Sequence, residues 1–241
     1  MNDHVELSKS SAHISAMFDA IAPRYDFLNH ALSAGIDRHW RKRAIRSLRL
    51  TGRERVLDVC TGTADLAIAA RTATPGAAKV VGVDFAAAML DIGHRKLTRA
   101  GLAGDVALVR GDATRIPAAD ASVDAVTVAF GIRNVDDMPA ACREMHRVLK
   151  PGGALAILEF AIPTQPIVRA AYLSYFRHIL PAVGRLVSRH NAAYGYLPES
   201  VSAFGSPDQF MEVLRVSRFV DVAAVRMTFG IVCLYTARRD S

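Results

Sequence analysis

Residues 55–65, Arg55-Val56-Leu57-Asp58-Val59-Cys60-Thr61-Gly62-Thr63-Ala64-Asp65, decide the fold. The apolar, β-branched run 55–60 reads as a buried strand, and a helical pattern starts at Ala64, so one glycine turn joins strand to helix. Working outward, the runs 79–84, 106–110, 123–130 and 154–160 have the same character: short, apolar and bounded by Gly, Pro, Asp or Asn. Between them, 64–73, 87–100 and 136–149 carry apolar residues at steps of three and four, and Pro151-Gly152-Gly153 is expected to stop the last helix. The resulting β-α-β-α-β-β-α-β order predicts a doubly wound α/β fold, a parallel sheet with helices on both faces. Two further β-rich runs, 221–228 and 231–237, are separated only by Phe229-Gly230, too short for a crossover helix, so they are expected to form an antiparallel hairpin.

A single domain over 1–241 fits this length. We divide it into a helical cap (1–50, broken at Pro23), a core (51–160), an inserted helical segment (161–205), and a C-terminal helix with the hairpin (206–241). Lys and Arg number 30 against 23 Asp and Glu, a net charge of +7 that permits an anionic partner without specifying one. The densest basic group, Arg38 to Arg46, reads as a solvated helix face. Cys60, Cys142 and Cys233 lie too far apart for a zinc site or a redox dithiol, so no metal and a reduced, cytoplasmic setting are expected. The N-terminus lacks the order of a secretory signal, and no apolar run approaches the ~20 residues of a spanning helix.

The turn at 58–65 sits at the carboxyl end of a central strand, where ligands of such sheets bind. A dinucleotide reader would need G-x-G-x-x-G and a helix N-terminus free for pyrophosphate. This loop instead carries Asp58 and Asp65, suited to the sulfonium and ammonium of S-adenosylmethionine. Gly62 lets a ligand approach the backbone, and Thr63 or Asp65 can cap the helix. The second strand ends at Asp84, placed to accept ribose hydroxyls, and the third leads to Asp112 and Ala113, placed to meet an adenine ring. Met89 is a candidate for packing on adenine and equally for the core. A mainly parallel sheet with one reversed strand is also the arrangement of S-adenosylmethionine-dependent methyltransferases, a Rossmann-like sheet of seven strands.

Longer motifs carry a family resemblance. Met17-Phe18-Asp19-Ala20-Ile21-Ala22-Pro23-Arg24-Tyr25-Asp26, Leu28-Asn29-His30, Gly35 to Arg41, Phe130-Gly131-Ile132-Arg133-Asn134-Val135, Glu144 to Gly153, Leu158-Glu159-Phe160 and Tyr196 to Val201 resemble the ubiquinone and menaquinone biosynthesis C-methyltransferases over nearly the whole chain. The resemblance implies cofactor contacts at Thr63, Asp84, Asp112 and Ala113. Ala129 stands where some members have a serine and offers no side-chain hydrogen bond. Ala64 replaces the family's usual glycine, which narrows the turn. The Cys60-Thr61-Gly62-Thr63 form of the loop resembles menaquinone-pathway members more than ubiquinone-pathway ones.

Transfer of a methyl group to ring carbon needs alignment and a phenolate-like acceptor. Arg133 and Asn134, after the fourth strand, are the candidates for stabilising that charge and ordering a proton-accepting water; tying the loop to the cap is the competing role. Tyr25 and His30 on the cap are further candidates, with Tyr196 and Glu199 behind them. The stripe Ile167, Val168, Ala171, Tyr172, Tyr175, Phe176, Ile179 and Leu180 suits a prenyl tail, a peripheral membrane surface or a homodimer contact. A methyltransferase for another small acceptor, or a cofactor-binding protein without catalysis, would share the cofactor site. Nucleic acid is not an expected partner, because basic and aromatic residues do not interleave.

Overall fold

The computed structural model describes residues 19, 22, 33, 35–73, 78–179 and 192–241. Seven strands form one sheet: β1 (Arg55–Val59), β2 (Lys79–Asp84), β3 (Val106–Arg110), β4 (Val123–Ala129), β5 (Leu149–Phe160), β6 (Phe219–Met227) and β7 (Val232–Arg239). Their order is β3-β2-β1-β4-β5-β7-β6. The first five are parallel, and β7 runs antiparallel between β5 and β6, so the expected hairpin and strand reversal are both present. The chain order steps outward from β1 in both directions, which puts the ends of β1 and β4 at the topological switch point.

The helices are α1 (Asp37–Ser47), α2 (Asp65–Ala73), α3 (Ala87–Arg99), α4 (Met138–Val148), α5 (Pro166–Ser174), α6 (Ala192–Phe204) and α7 (Pro207–Val216), with a π-helical turn at Tyr175–Ile179. One apolar cluster joins α4 and α7 to the sheet through Met145, Val148, Phe210 and Leu214; the other joins α1 and α2 to the opposite face through Trp40, Ala44, Leu66 and Ala67. Strands buried on both faces read as continuous apolar runs, which is why β1, β2 and β4 were visible in the sequence. Start signals agree too: Asp137 accepts from the Ala140 N–H at 2.8 Å to cap α4, and Ser206 and Gln209 form a capping box on α7.

Two expectations need correction. Pro151-Gly152-Gly153 does not stop the helix: α4 ends at Val148, and β5 starts at Leu149, which pairs with Val123 before a bulge restores pairing at Ala125 and Ala154. Gly152, at φ 71, and Gly153, where a Cβ would stand 2.8 Å from the Lys150 carbonyl, serve that bulge. The stripe on the insertion is not one face, since Ile167 is exposed and Tyr172 is buried. Leu180 and Pro181 lie outside the described residues.

Candidate active site

The loop after β1 is built on left-handed backbone: Cys60 at φ 55, Gly62 at φ 55 and Ala64 at φ 69. Only glycine adopts this region without cost, so the alanine at 64 carries strain that the family's glycine avoids. A Cβ built on Gly62 would meet nothing within 4 Å, so the crest of the loop faces open space. The Gly62 N–H donates to Asp84 Oδ2 at 2.8 Å, and the Ala86 N–H donates to Oδ1 at 2.9 Å. Asp84, at the end of β2, is thereby held between two loops, and burial pushes its carboxyl up against the lowering effect of these bonds.

Asp58 lies beneath the loop with 1% of its surface exposed. It accepts from Thr61 Oγ1 at 2.6 Å and from Thr127 Oγ1 at 2.7 Å, and burial pushes its carboxyl up to about 6. Asp112 follows β3 on the surface. Its Oδ1 accepts from the N–H and hydroxyl of Thr114, both at 2.8 Å, and Oδ2 makes no hydrogen bond among the described residues. Ala113 beside it is buried, and Ala129 ends β4 half-buried. β1, β2 and β3 are adjacent and parallel, so Asp58, Asp84 and Asp112 share the carboxyl edge of the sheet; the Cys60 thiol at that edge is pushed up by burial and then by the charges of Asp84, Asp58, Glu159 and Asp112.

Asp65 does not join them. It is ion-paired with Lys96 Nζ and lies 3.5 Å from Arg41 Nη2, while Lys96 also donates to Thr63 Oγ1 at 3.1 Å. Its charge is spent on cations of α1 and α3 rather than offered to a ligand. Met89 packs with Ala86 and Ala22, 2% exposed, in a small apolar cluster.

The loop after β4 is locked against this one. A Cβ on Gly131 would stand 2.3 Å from Cys60 Cβ, so glycine is required by close approach of two backbones. Arg133 is buried: Nη1 donates to Glu159 Oε1 at 2.7 Å and to the Phe130 carbonyl at 2.6 Å, and Nε donates to Ser200 Oγ at 3.3 Å. Its Nη2 makes no hydrogen bond among the described residues. Glu159, 0% exposed, also accepts from the N–H groups of Phe160 and Arg133. Asn134 accepts from the Tyr196 hydroxyl at 3.0 Å. Burial pushes the Tyr196 phenol up, partly offset by Arg133, so it stays protonated and donates. Among the described residues, Arg133 and Asn134 tie the loop to β5 and to α6 of the insertion; most of the cap lies outside the described residues.

Phe130 stacks on Phe160 at 4.5 Å between centroids, Trp40 meets both edge-on, and Arg133 Cζ lies 5.4 Å from the Phe160 ring. This wall joins α1 to the ends of β4 and β5. From the cap, Asp19 accepts from the Ala88 N–H at 3.1 Å. Tyr25, Asp26, Asn29 and His30 lie outside the described residues.

Glu159, Thr127, Ser200 and Lys96 are site residues to which the sequence motifs give no role. A carboxylate inside the apolar run of β5 was the signal for Glu159, because Glu is almost never fully buried without a partner. Lys96 gave no such signal, since its neighbours are remote in sequence.

The donor set fits an adenosyl sulfonium. Asp84 is a fixed acceptor for hydroxyls, Asp112 has an acceptor oxygen with no hydrogen bond among the described residues that could take an amino group, Gly62 opens its face, and the surrounding charge is negative. Among the described residues no group of three His, Cys, Asp or Glu is arranged to hold a metal.

Solved structures share this architecture. The [4+2]-cyclase SpnF superposes with a TM-score of 0.67 at 19% identity, covering 94% of this chain and 95% of that one. A SAM-dependent methyltransferase from Aquifex aeolicus superposes at 0.61 with 19% identity, covering 83% and 89%. The fold is the one that S-adenosylmethionine-dependent methyltransferases share. The model of the ubiE/COQ5 methyltransferase family matches residues 6–239, and the chain belongs to that family. Its relatives include the ubiquinone/menaquinone biosynthesis C-methyltransferase UbiE of Geotalea daltonii, 42% identical over 97% of this chain and 99% of that protein. UbiE of Syntrophotalea carbinolica is 46% identical over 93% of each, and the demethylmenaquinone methyltransferase of Bacteroides fragilis is 41% identical over 96% and 94%.

Proposed function

We propose that the chain methylates a ring carbon of a prenylated quinol, with demethylmenaquinol as acceptor and menaquinol as product. C-methylation in quinone biosynthesis follows from the family and from relatives named for both pathways; the naphthoquinol is favoured by the Bacteroides relative's name and by the loop form at Cys60. The observation that carries the reading is geometric: Asp58, Asp84 and Asp112 lie at the carboxyl ends of three adjacent parallel strands around the open crest of Gly62, and the Cys60 side of that loop packs against the loop that presents Arg133 and Asn134. A cation pocket and a buried polar cluster with an aromatic wall meet there.

When bound, S-adenosyl-L-methionine supplies an electrophilic methyl on a cationic sulfur. The protein's part is to hold Asp84 and Asp112 for the adenosyl group and keep Asp58 as negative charge beneath the loop. The role of Arg133 is to place Nη2 toward the quinol oxygen and stabilise the negative charge as the hydroxyl proton leaves. Asn134, fixed by Tyr196, orders the water that accepts that proton.

Among the described residues no helix is long and apolar enough to cross a membrane. The exposed Ile167 and Leu173 of α5 support peripheral contact with the bilayer that holds the quinol, from the cytoplasmic side. A homodimer through the same helix is the second use of that face. The test is paired incubation of the protein and donor with demethylmenaquinol and with a methoxy-polyprenyl-benzoquinol, read by mass. Methylated naphthoquinol as the main product is expected. Turnover of the benzoquinol alone would transfer the chain to the ubiquinone pathway, and turnover of neither would remove the quinol reading.

A further inference from the structure

On the face of the sheet covered by α1, a groove of about 580 Å³ runs between that helix and strands β6 and β7. Its rim is Lys42, Arg43, Arg46, Arg49 and Arg238 with His39, and Asp221 is the one carboxylate among the lining residues. None of Lys42, Arg43, Arg46 or Arg49 forms an ion pair among the described residues, unlike Arg41 on the buried side of the same helix, which pairs with Asp37. The floor is aliphatic: Leu48, Val225 and Leu234, with Val225 44% exposed on the outer strand. The basic stretch that read as a solvated helix face is therefore one wall of an amphipathic groove.

The same side carries an exposed aromatic tip. Trp40 Nε1 donates to Thr228 Oγ1 at 2.8 Å, which fastens α1 to the turn between β6 and β7. The next residue, Phe229, is 78% exposed and sits at φ 57, a left-handed conformation that bulky side chains seldom adopt. The turn lies at the edge where β5 ends, since Ala161 N–H donates to the Ile231 carbonyl at 2.9 Å, and Ile36 before α1 is 41% exposed.

We propose that this face, from Phe229 and Ile36 to the α1 groove, docks on an anionic phospholipid surface. Unpaired cations beside apolar side chains that stand in water are the pattern of an interfacial contact: the cations meet headgroup phosphates while the apolar tips enter the acyl boundary. Charge complementarity selects an anionic partner, and the aliphatic floor with the exposed Phe229 and Ile36 selects lipid over nucleic acid, since phosphate contacts alone would leave those apolar side chains in water. This face is built on α1, β6 and β7 rather than on α5, and it would hold the enzyme on the bilayer whether or not substrate is present.

The test is co-sedimentation of the full chain with vesicles of phosphatidylcholine and of phosphatidylcholine mixed with phosphatidylglycerol, without quinol or methyl donor. Binding to the anionic vesicles only, falling as salt rises, is expected. Lys42→Glu, Arg43→Glu and Arg46→Glu together weaken it by roughly a hundredfold, and Phe229→Ser alone by roughly tenfold. Inorganic phosphate at matched ionic strength does not displace the protein. Equal binding to both vesicle types, an unchanged Phe229→Ser variant, competition by free phosphate, or binding of duplex DNA with no binding of vesicles would each overturn the proposal. Because no quinol is present, failure here leaves the acceptor reading standing, and failure of quinol turnover leaves this one standing.

Discussion

At the ends of β1, β2 and β3 the carboxylates are held by neutral donors: hydroxyls of Thr61 and Thr127 on Asp58, N–H groups of Gly62 and Ala86 on Asp84, Thr114 on Asp112. At the ends of β4 and β5 the buried carboxylate, Glu159, is held by a guanidinium. Neutral donors orient a carboxylate without cancelling its charge, whereas a guanidinium does both. One half of the site keeps a negative field for a cationic ligand; the other is neutral overall and mechanically tied.

The sharpest way to break the contrast is Glu159→Gln. It leaves Arg133 buried without its counter-charge, and a loss of about 3–5 kcal/mol is expected from denaturant titration. Replacing both partners, Glu159→Leu with Arg133→Met, should recover most of the stability and none of the methyl transfer. Joining the halves too tightly is nearly as harmful. Gly131→Ala drives a methyl into Cys60 and should cost about 2–3 kcal/mol, with the thermal midpoint as readout.

A milder probe uses pH. Asp58 is raised from 3.8 to about 6 by burial, so the stability it contributes to the ligand-free protein is whole below its ordinary value and is lost as pH rises through about 6. A bound cation prefers the ionised form, so donor affinity moves the other way and should fall roughly tenfold between pH 7 and pH 5, by calorimetry. Asp58→Asn should flatten that dependence. The smallest effect is expected at the surface: Asp112→Ala should weaken the donor about tenfold, with stability unchanged.

The sequence carried the cofactor half further than the substrate half, for a physical reason. Asp58, Gly62 and Asp84 sit where strands buried on both faces stop, and such strands announce their ends, whereas Asp112 follows the largely exposed edge strand β3 and was found from its order after the other two. Asp65 looked equivalent and is not, because Lys96 and Arg41 reach it from other helices. Arg133 and Asn134 were found through the motif, but their partners Glu159, Ser200 and Tyr196 come from β5 and α6, pairings that no local pattern encodes. The start of β5 was missed because Pro151-Gly152-Gly153 signals a helix stop and a strand bulge equally well.

The most direct test of the cation pocket is calorimetric titration of the full chain with S-adenosyl-L-methionine, wild type against Asp84→Ala. Loss of two charge-assisted hydrogen bonds predicts affinity weakened by roughly a hundredfold or more in the variant. Equal affinity in the two proteins, or no binding to the wild type, would contradict the account.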